Sequence, residues 1–103
     1  MRIISRRTLR EFWEKHSTAQ TGLLLWYQRV SNSEFQNFND LRQVFPSADQ
    51  VGNFTIFNIS GNNYRLITYI DYEYQTVFIR AVLTHAEYDK ENWKNDDWFE
   101  NSQ

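Results

Sequence analysis

The 103 residues make one domain-sized chain, with 41% apolar and 23% charged side chains, a balance that excludes collagen-like, coiled-coil and disordered readings. Cysteine is absent, which removes disulfide frameworks and thiolate metal sites. The formal charge of −2 argues, taken whole, against a nucleic-acid partner. That average conceals two parts. Residues 1–84 carry nine Arg/Lys and seven Asp/Glu, a net +2, whereas 85–103 carry two Lys and six Asp/Glu, a net −4.

Ile3 and Ile4 can begin a short strand, and Ser5 suits the N-cap of a helix over Arg6–His16. There Leu9, Phe12, Trp13 and His16 fall at i, i+3, i+4, i+7, an amphipathic stripe that places His16 in packing. Ser17-Thr18-Ala19-Gln20 has capping-box form and restarts a helix to about Val30, with Leu23, Trp26, Tyr27 and Val30 on one face. The stretch Ser31–Asn37 reads as loop. Asn39 is placed to cap a short helix over Asp40–Val44, which Pro46 stops.

Three strand-like runs follow, Phe54–Ser60, Tyr64–Asp71 and Thr76–Leu83, and Gly61-Asn62-Asn63 signals a hairpin. The expected class is α+β: a small antiparallel sheet, built as a three-stranded meander plus the short N-terminal strand, with two N-terminal helices on one face. With a Gly61-Asn62 turn, Asn58 lies opposite Arg65 and Phe57 opposite Leu66. With a Tyr72–Gln75 turn, Ile67 lies opposite Arg80 and Leu66 opposite Ala81. One face then carries Phe57, Ile59, Tyr64, Leu66, Thr68, Val77, Ile79 and Ala81 for the helices to cover. The other gathers Asn58, Arg65 and Arg80, the arginines diagonal at roughly 7–8 Å. Such a pair is either two cations lying over apolar neighbours, paired with Asp71 or Glu73, or a phosphate- or carboxylate-binding patch.

The segment Thr84-His85-Ala86-Glu87-Tyr88-Asp89-Lys90 follows the strand that delivers Arg80. If Thr84 caps a helical turn, His85, Tyr88 and Asp89 share one side of it. His85 is the side chain there with a reference pKa near neutrality, suited either to structure or to proton transfer. The alternating His85, Glu87 and Asp89 do not fit a tetrahedral metal set, so no metal or cofactor is expected. Gly-rich phosphate loops and G-x-S-x-G are absent from the sequence. No apolar run reaches a membrane span, and the basic start lacks an apolar core behind it, so a cytoplasmic protein is the expectation.

Met1-Arg2-Ile3-Ile4-Ser5-Arg6 with Leu9-Arg10-Glu11-Phe12-Trp13-Glu14-Lys15-His16, then Phe57-Asn58-Ile59, Gly61-Asn62 with Tyr64-Arg65-Leu66, and Thr84 to Lys90 together resemble the HigB family of bacterial type II toxin–antitoxin toxins. The resemblance covers about residues 1–90. It implies a RelE-like fold and an mRNA interferase that cuts messenger RNA, typically in the ribosomal A site, and is neutralised by a helix-turn-helix antitoxin. On that footing Arg65 and Arg80 are expected to hold the phosphate, and His85 to act as general acid or base. Tyr88 assists proton transfer or stacks on a base, and Asp89 orients His85. Arg6, Arg7, Asn58 and Lys90 are candidate contacts to messenger or ribosomal RNA. Residues 91–103 depart from the family pattern. They are expected to form an acidic, Trp-containing extension that either lies on the sheet near the arginines or frays as a terminus. Without the resemblance, a non-catalytic RNA- or protein-binding module and a small-anion-binding domain stand beside the nuclease.

Overall fold

The computed structural model describes residues 1–100; the last three positions of the 91–103 extension lie outside the described residues. Chain order is β1 (Arg2–Ile4), α1 (Arg6–Lys15), a 3-10 turn at Ser17–Ala19, α2 (Gln20–Ser31), α3 (Phe38–Val44), β2 (Asp49–Val51), β3 (Phe54–Ile59), β4 (Tyr64–Asp71), β5 (Thr76–Thr84), α4 (His85–Asp89) and a second 3-10 turn at Asn92–Asn95. The strands form one five-stranded sheet in the order β1-β5-β4-β3-β2. The sheet is mixed, because β1 runs parallel to β5 while the other pairs are antiparallel. None of the helices is long and apolar enough to cross a membrane, among the described residues.

The helices follow the apolar stripes. Leu9 of α1 and Leu23, Trp26 and Val30 of α2 are buried, and they join Phe57, Ile59, Tyr64, Leu66 and Val77 of the sheet in one core. His16 packs as expected, stacked on Phe12 at 4.4 Å between ring centres. Two caps differ from expectation. Ser17–Ala19 forms a 3-10 turn, so α2 starts at Gln20. Asn37, not Asn39, caps α3, its side chain accepting from the Asp40 N–H at 2.9 Å. Capping at Asn37 brings Phe38 into the helix, where it packs against the core.

The sheet corrects the expected three-stranded meander in three ways. Asp49–Val51 adds an edge strand, too short to show a period in sequence. The first hairpin keeps the expected register, Asn58 opposite Arg65, but its ladder ends at Ile59–Tyr64. Its loop is therefore Ser60–Asn63, with Ser60 and Gly61 in the left-handed region at φ 53° and 68°. The second hairpin turns over Tyr72–Gln75 as expected, but a bulge intervenes further on. Thr68 pairs with Ile79 and Ile67 with Ala81, leaving Arg80 as the extra residue.

A bulge shifts the side-chain alternation by one residue beyond it. Val82 therefore joins the helix-covered core, while Ala81 and Leu83 turn to the opposite face. That second face is covered too. Residues 92–100 fold back across it, so that Trp93 packs with Phe54, Ile56 and Ile67, flanked by Trp98 and Phe99. The chain docks by backbone as well as by rings. Asn53 N–H donates to the Phe99 carbonyl at 2.9 Å, and Gly52 passes beneath Phe99 so closely that a Cβ there would meet the ring at 2.7 Å. Gly52 also sits at φ 58°, where a side chain is strained. Residues 92–100 thus form a third layer, not a frayed end.

Candidate active site

Arg65 stands near the start of β4, across from Asn58 on β3. Its guanidinium is fixed by the hairpin loop, donating to the Asn62 carbonyl at 3.0 Å, to Asn62 Oδ1 at 3.1 Å and to its neighbour's carbonyl at Tyr64. Three acceptors on one fork set its direction but supply no full counter-charge, so the cation stays available to an anion.

The helical turn beside it is built by local sequence. Thr84 Oγ1 accepts from the Glu87 N–H at 3.2 Å while Glu87 Oε1 accepts from the Thr84 N–H at 2.9 Å, a full capping box. His85 N–H donates to the Asn63 carbonyl at 3.1 Å, which ties α4 to the loop that orients Arg65. His85 Nδ1 lies 3.0 Å from Asp89 Oδ2, the i,i+4 contact expected for one side of a helical turn. With Nδ1–H donating to Asp89, Nε2 is left as the ring atom that can take or return a proton.

Tyr88 completes the cluster. The Arg65 guanidinium lies over its ring at 5.4 Å. Burial raises the phenol pKa above its ordinary value, and the charge of Asp49 on β2 adds to the effect against the opposing pull of Arg65 and Lys94. The group is held in its protonated, donating form. Lys90 ends α4 and, with Glu87, lines a shallow groove of about 350 Å³ against Leu83 and Trp93. Among the described residues no three His, Asp or Glu side chains gather in a way that could hold a metal ion.

The structure does not bring Arg80 to this cluster. Arg65 faces Leu83, so Arg80 lies three residues back along β5, about 10 Å at strand rise. The expected diagonal pair at 7–8 Å is therefore replaced by two separate cations, because the bulge was invisible to a period-two reading. Arg80 is also occupied: Nε and Nη2 each donate to Asp96 at 2.9 Å, and its guanidinium stacks over Trp98 at 4.0 Å. Arg6 and Arg7 lie apart as well, on α1 in the helix layer, across the sheet from Arg65. Arg6 lies over Trp13 and Tyr27, and Arg7 pairs with Glu11 at 3.5 Å. Asn62 and Asn63, which hold Arg65 and His85, were legible only as turn formers.

Asp96 gives a pH handle on the extension. Partial burial works against its charge, but the Arg80 hydrogen bond, the Trp98 N–H and the Arg80 charge outweigh it and hold the carboxyl below its ordinary pKa. A carboxyl lowered in the folded state stabilises above its unfolded pKa, and that contribution is lost as pH falls through the folded value. Asp96→Asn is therefore expected to be less stable than the parent near neutrality. The gap should close in acid, below the ordinary carboxylate range, as read from urea midpoints against pH.

The profile of the HigB toxins, described as the RelE-like toxic component of a toxin–antitoxin system, matches residues 19–91. The mRNA interferase toxin HigB of Escherichia coli K12 is 32% identical over 92 residues, covering 86% of this chain and 88% of that protein. The mRNA interferase HigB of Escherichia coli O6:H1 is 29% identical over 93 residues, covering 87% and 90%. The α+β sheet with helices packed on it agrees with the RelE-like fold expected from the sequence. The chain belongs to the HigB family of RelE-like toxins of toxin–antitoxin systems.

Proposed function

We propose that this toxin is an mRNA interferase, an endoribonuclease that cuts messenger RNA in the ribosomal A site, in the cytoplasm, and is restrained by a helix-turn-helix antitoxin. The observation that carries the reading is the convergence of Arg65, His85 and Tyr88 at one end of β4–β5 in a chain of this family. In the reaction the ribose 2′-oxygen loses its proton and forms a bond to the adjacent phosphorus. The bond from phosphorus to the 5′-oxygen breaks, and that oxygen gains a proton. Arg65 holds the phosphate and meets the charge that grows on it. His85 Nε2 transfers a proton, oriented through Nδ1 by Asp89. Tyr88, kept protonated, donates to the phosphate or the leaving oxygen. Asn58 and Lys90 flank this centre as RNA contacts, and Arg6 and Arg7 serve as contacts of the helix layer to ribosomal RNA. Arg80 is assigned to binding the extension, since Asp96 and Trp98 already hold it.

The test is a translation reaction with purified toxin, in which message integrity is followed by primer extension. Rapid cuts in translated message, slow or no cuts in free message, and protection by the cognate antitoxin are expected. RNA binding with intact message on translating ribosomes would favour the non-catalytic module instead.

A further inference from the structure

We propose that Trp93 is a positioning residue of the RNA-cleaving site, holding the Tyr88 ring in place beside Arg65; this rests on Tyr88 acting in cleavage as proposed above. Trp93 lies beyond the residues that match the family profile, and its contacts reach directly to Tyr88. The two rings stack with centres 5.1 Å apart and planes 7° from parallel. The Trp93 indole N–H also donates to the Tyr88 carbonyl at 3.0 Å, so ring and backbone of the same residue are both gripped.

Trp93 itself is held by packing. It is buried in the core of Phe54, Ile56 and Ile67, strands β3 and β4, and meets Phe99 edge to face at 5.7 Å. Fixing the indole in that core hands the rigidity of the sheet to a short, otherwise exposed helical turn. The chain reverses to reach this position at Glu91, which adopts φ 63°. Lys94 braces the turn, bound to Glu91 at 2.9 Å and lying over the Trp93 ring at 5.5 Å. Without the indole, Tyr88 would lose its stacking partner and keep the Arg65 cation on its ring, so its phenol would sample more rotamers. A phenol that must meet a reacting oxygen loses rate steeply when it strays by an ångström. Burial under Trp93 also supports the protonated phenol.

The test is a double-mutant cycle on the full chain, read as cleavage rate on translated message. Trp93→Leu is expected to lower kcat about 10–100-fold with KM changed less than about threefold. In a Tyr88→Phe background the same change should add almost nothing, because the group it positions is already gone. The Tyr88 phenol, identified by difference against Tyr88→Phe in an ultraviolet titration, should ionise at lower pH in Trp93→Leu. Trp93→Phe, which keeps a ring in the core, should show a smaller loss with the same non-additivity, and it carries the cycle if Trp93→Leu does not fold. Wild-type cleavage by Tyr88→Phe would remove the underlying reading of the site. Slow cleavage by Tyr88→Phe with losses from the Trp93 variants that simply multiply would leave that reading intact and overturn the positioning role.

Discussion

Arg65→Ala is expected to slow message cleavage by about 100- to 1000-fold, the usual cost of removing one preorganised donor to a developing oxyanion. The fold should survive it. Among the described residues the Arg65 side chain hydrogen-bonds the Asn62 loop and its neighbour's carbonyl and lies over Tyr88, so the unfolding free energy should fall by about 1 kcal/mol or less. Arg65→Lys should recover little, since an ammonium cannot span the acceptors that the guanidinium fork reaches. Arg80→Ala supplies the contrast. It leaves Asp96 without its two-pronged partner and strips the cation from Trp98, so it should cost stability while the folded fraction cleaves within a few-fold of wild type. The two arginines, expected to act as a pair, are thereby separated by experiment into a catalytic and a structural one. A large, specific loss of kcat in Arg80→Ala with unchanged stability would reverse that assignment.

Truncation after Glu91 should be equally severe, but on folding. Trp93, Trp98 and Phe99 lie over Phe54, Ile56 and Ile67, and large apolar side chains contribute about 1.5–3 kcal/mol each when buried. Removing the three, together with the Asp96–Arg80 pair, is expected to cost about 5 kcal/mol, a large part of the stability of an ordinary domain. The truncated chain should unfold at much lower urea or lose cooperativity altogether. Amide exchange gives a finer reading. The Asn53 N–H, bonded to the Phe99 carbonyl, should be protected in the full chain. A change in unfolding free energy within about 1 kcal/mol would mean that the extension frays.

The parts of the fold that were legible in sequence are those governed by local rules. Leu9, Phe12 and Trp13 at helical spacing place α1, Thr84 as a cap puts His85 and Asp89 on one side of α4, and the pairing of Asn58 with Arg65 follows from the hairpin signal. The illegible parts depend on contacts distant in sequence. β2 is three residues long and is a strand only because β3 lies beside it. The bulge at Arg80 inserts one residue into β5 without any glycine to mark it, so alternation carried past it puts Ala81 on the wrong face. The path of the extension depends on Gly52 and Asn53, some forty residues upstream.

The same contacts absorb part of the acidic charge of residues 85–103. In the extension Asp96 is matched by Arg80 and Glu91 by Lys94, while Asp89 in α4 serves His85. Half of the six acidic side chains in residues 85–103 therefore have internal partners, and among the described residues none of them forms an ion pair with Arg65.

The most direct test of the central claim is the chemistry of the cut ends on ribosome-bound message. Attack by the 2′-oxygen leaves a 2′,3′-cyclic phosphate on one fragment and a 5′-hydroxyl on the other. The wild-type toxin should produce those ends at its cut sites, and His85→Ala, folded and ribosome-bound, should produce them at least about 100-fold more slowly. Ends bearing a 3′-hydroxyl and a 5′-phosphate, or cutting by His85→Ala at the wild-type rate, would contradict the proposed site.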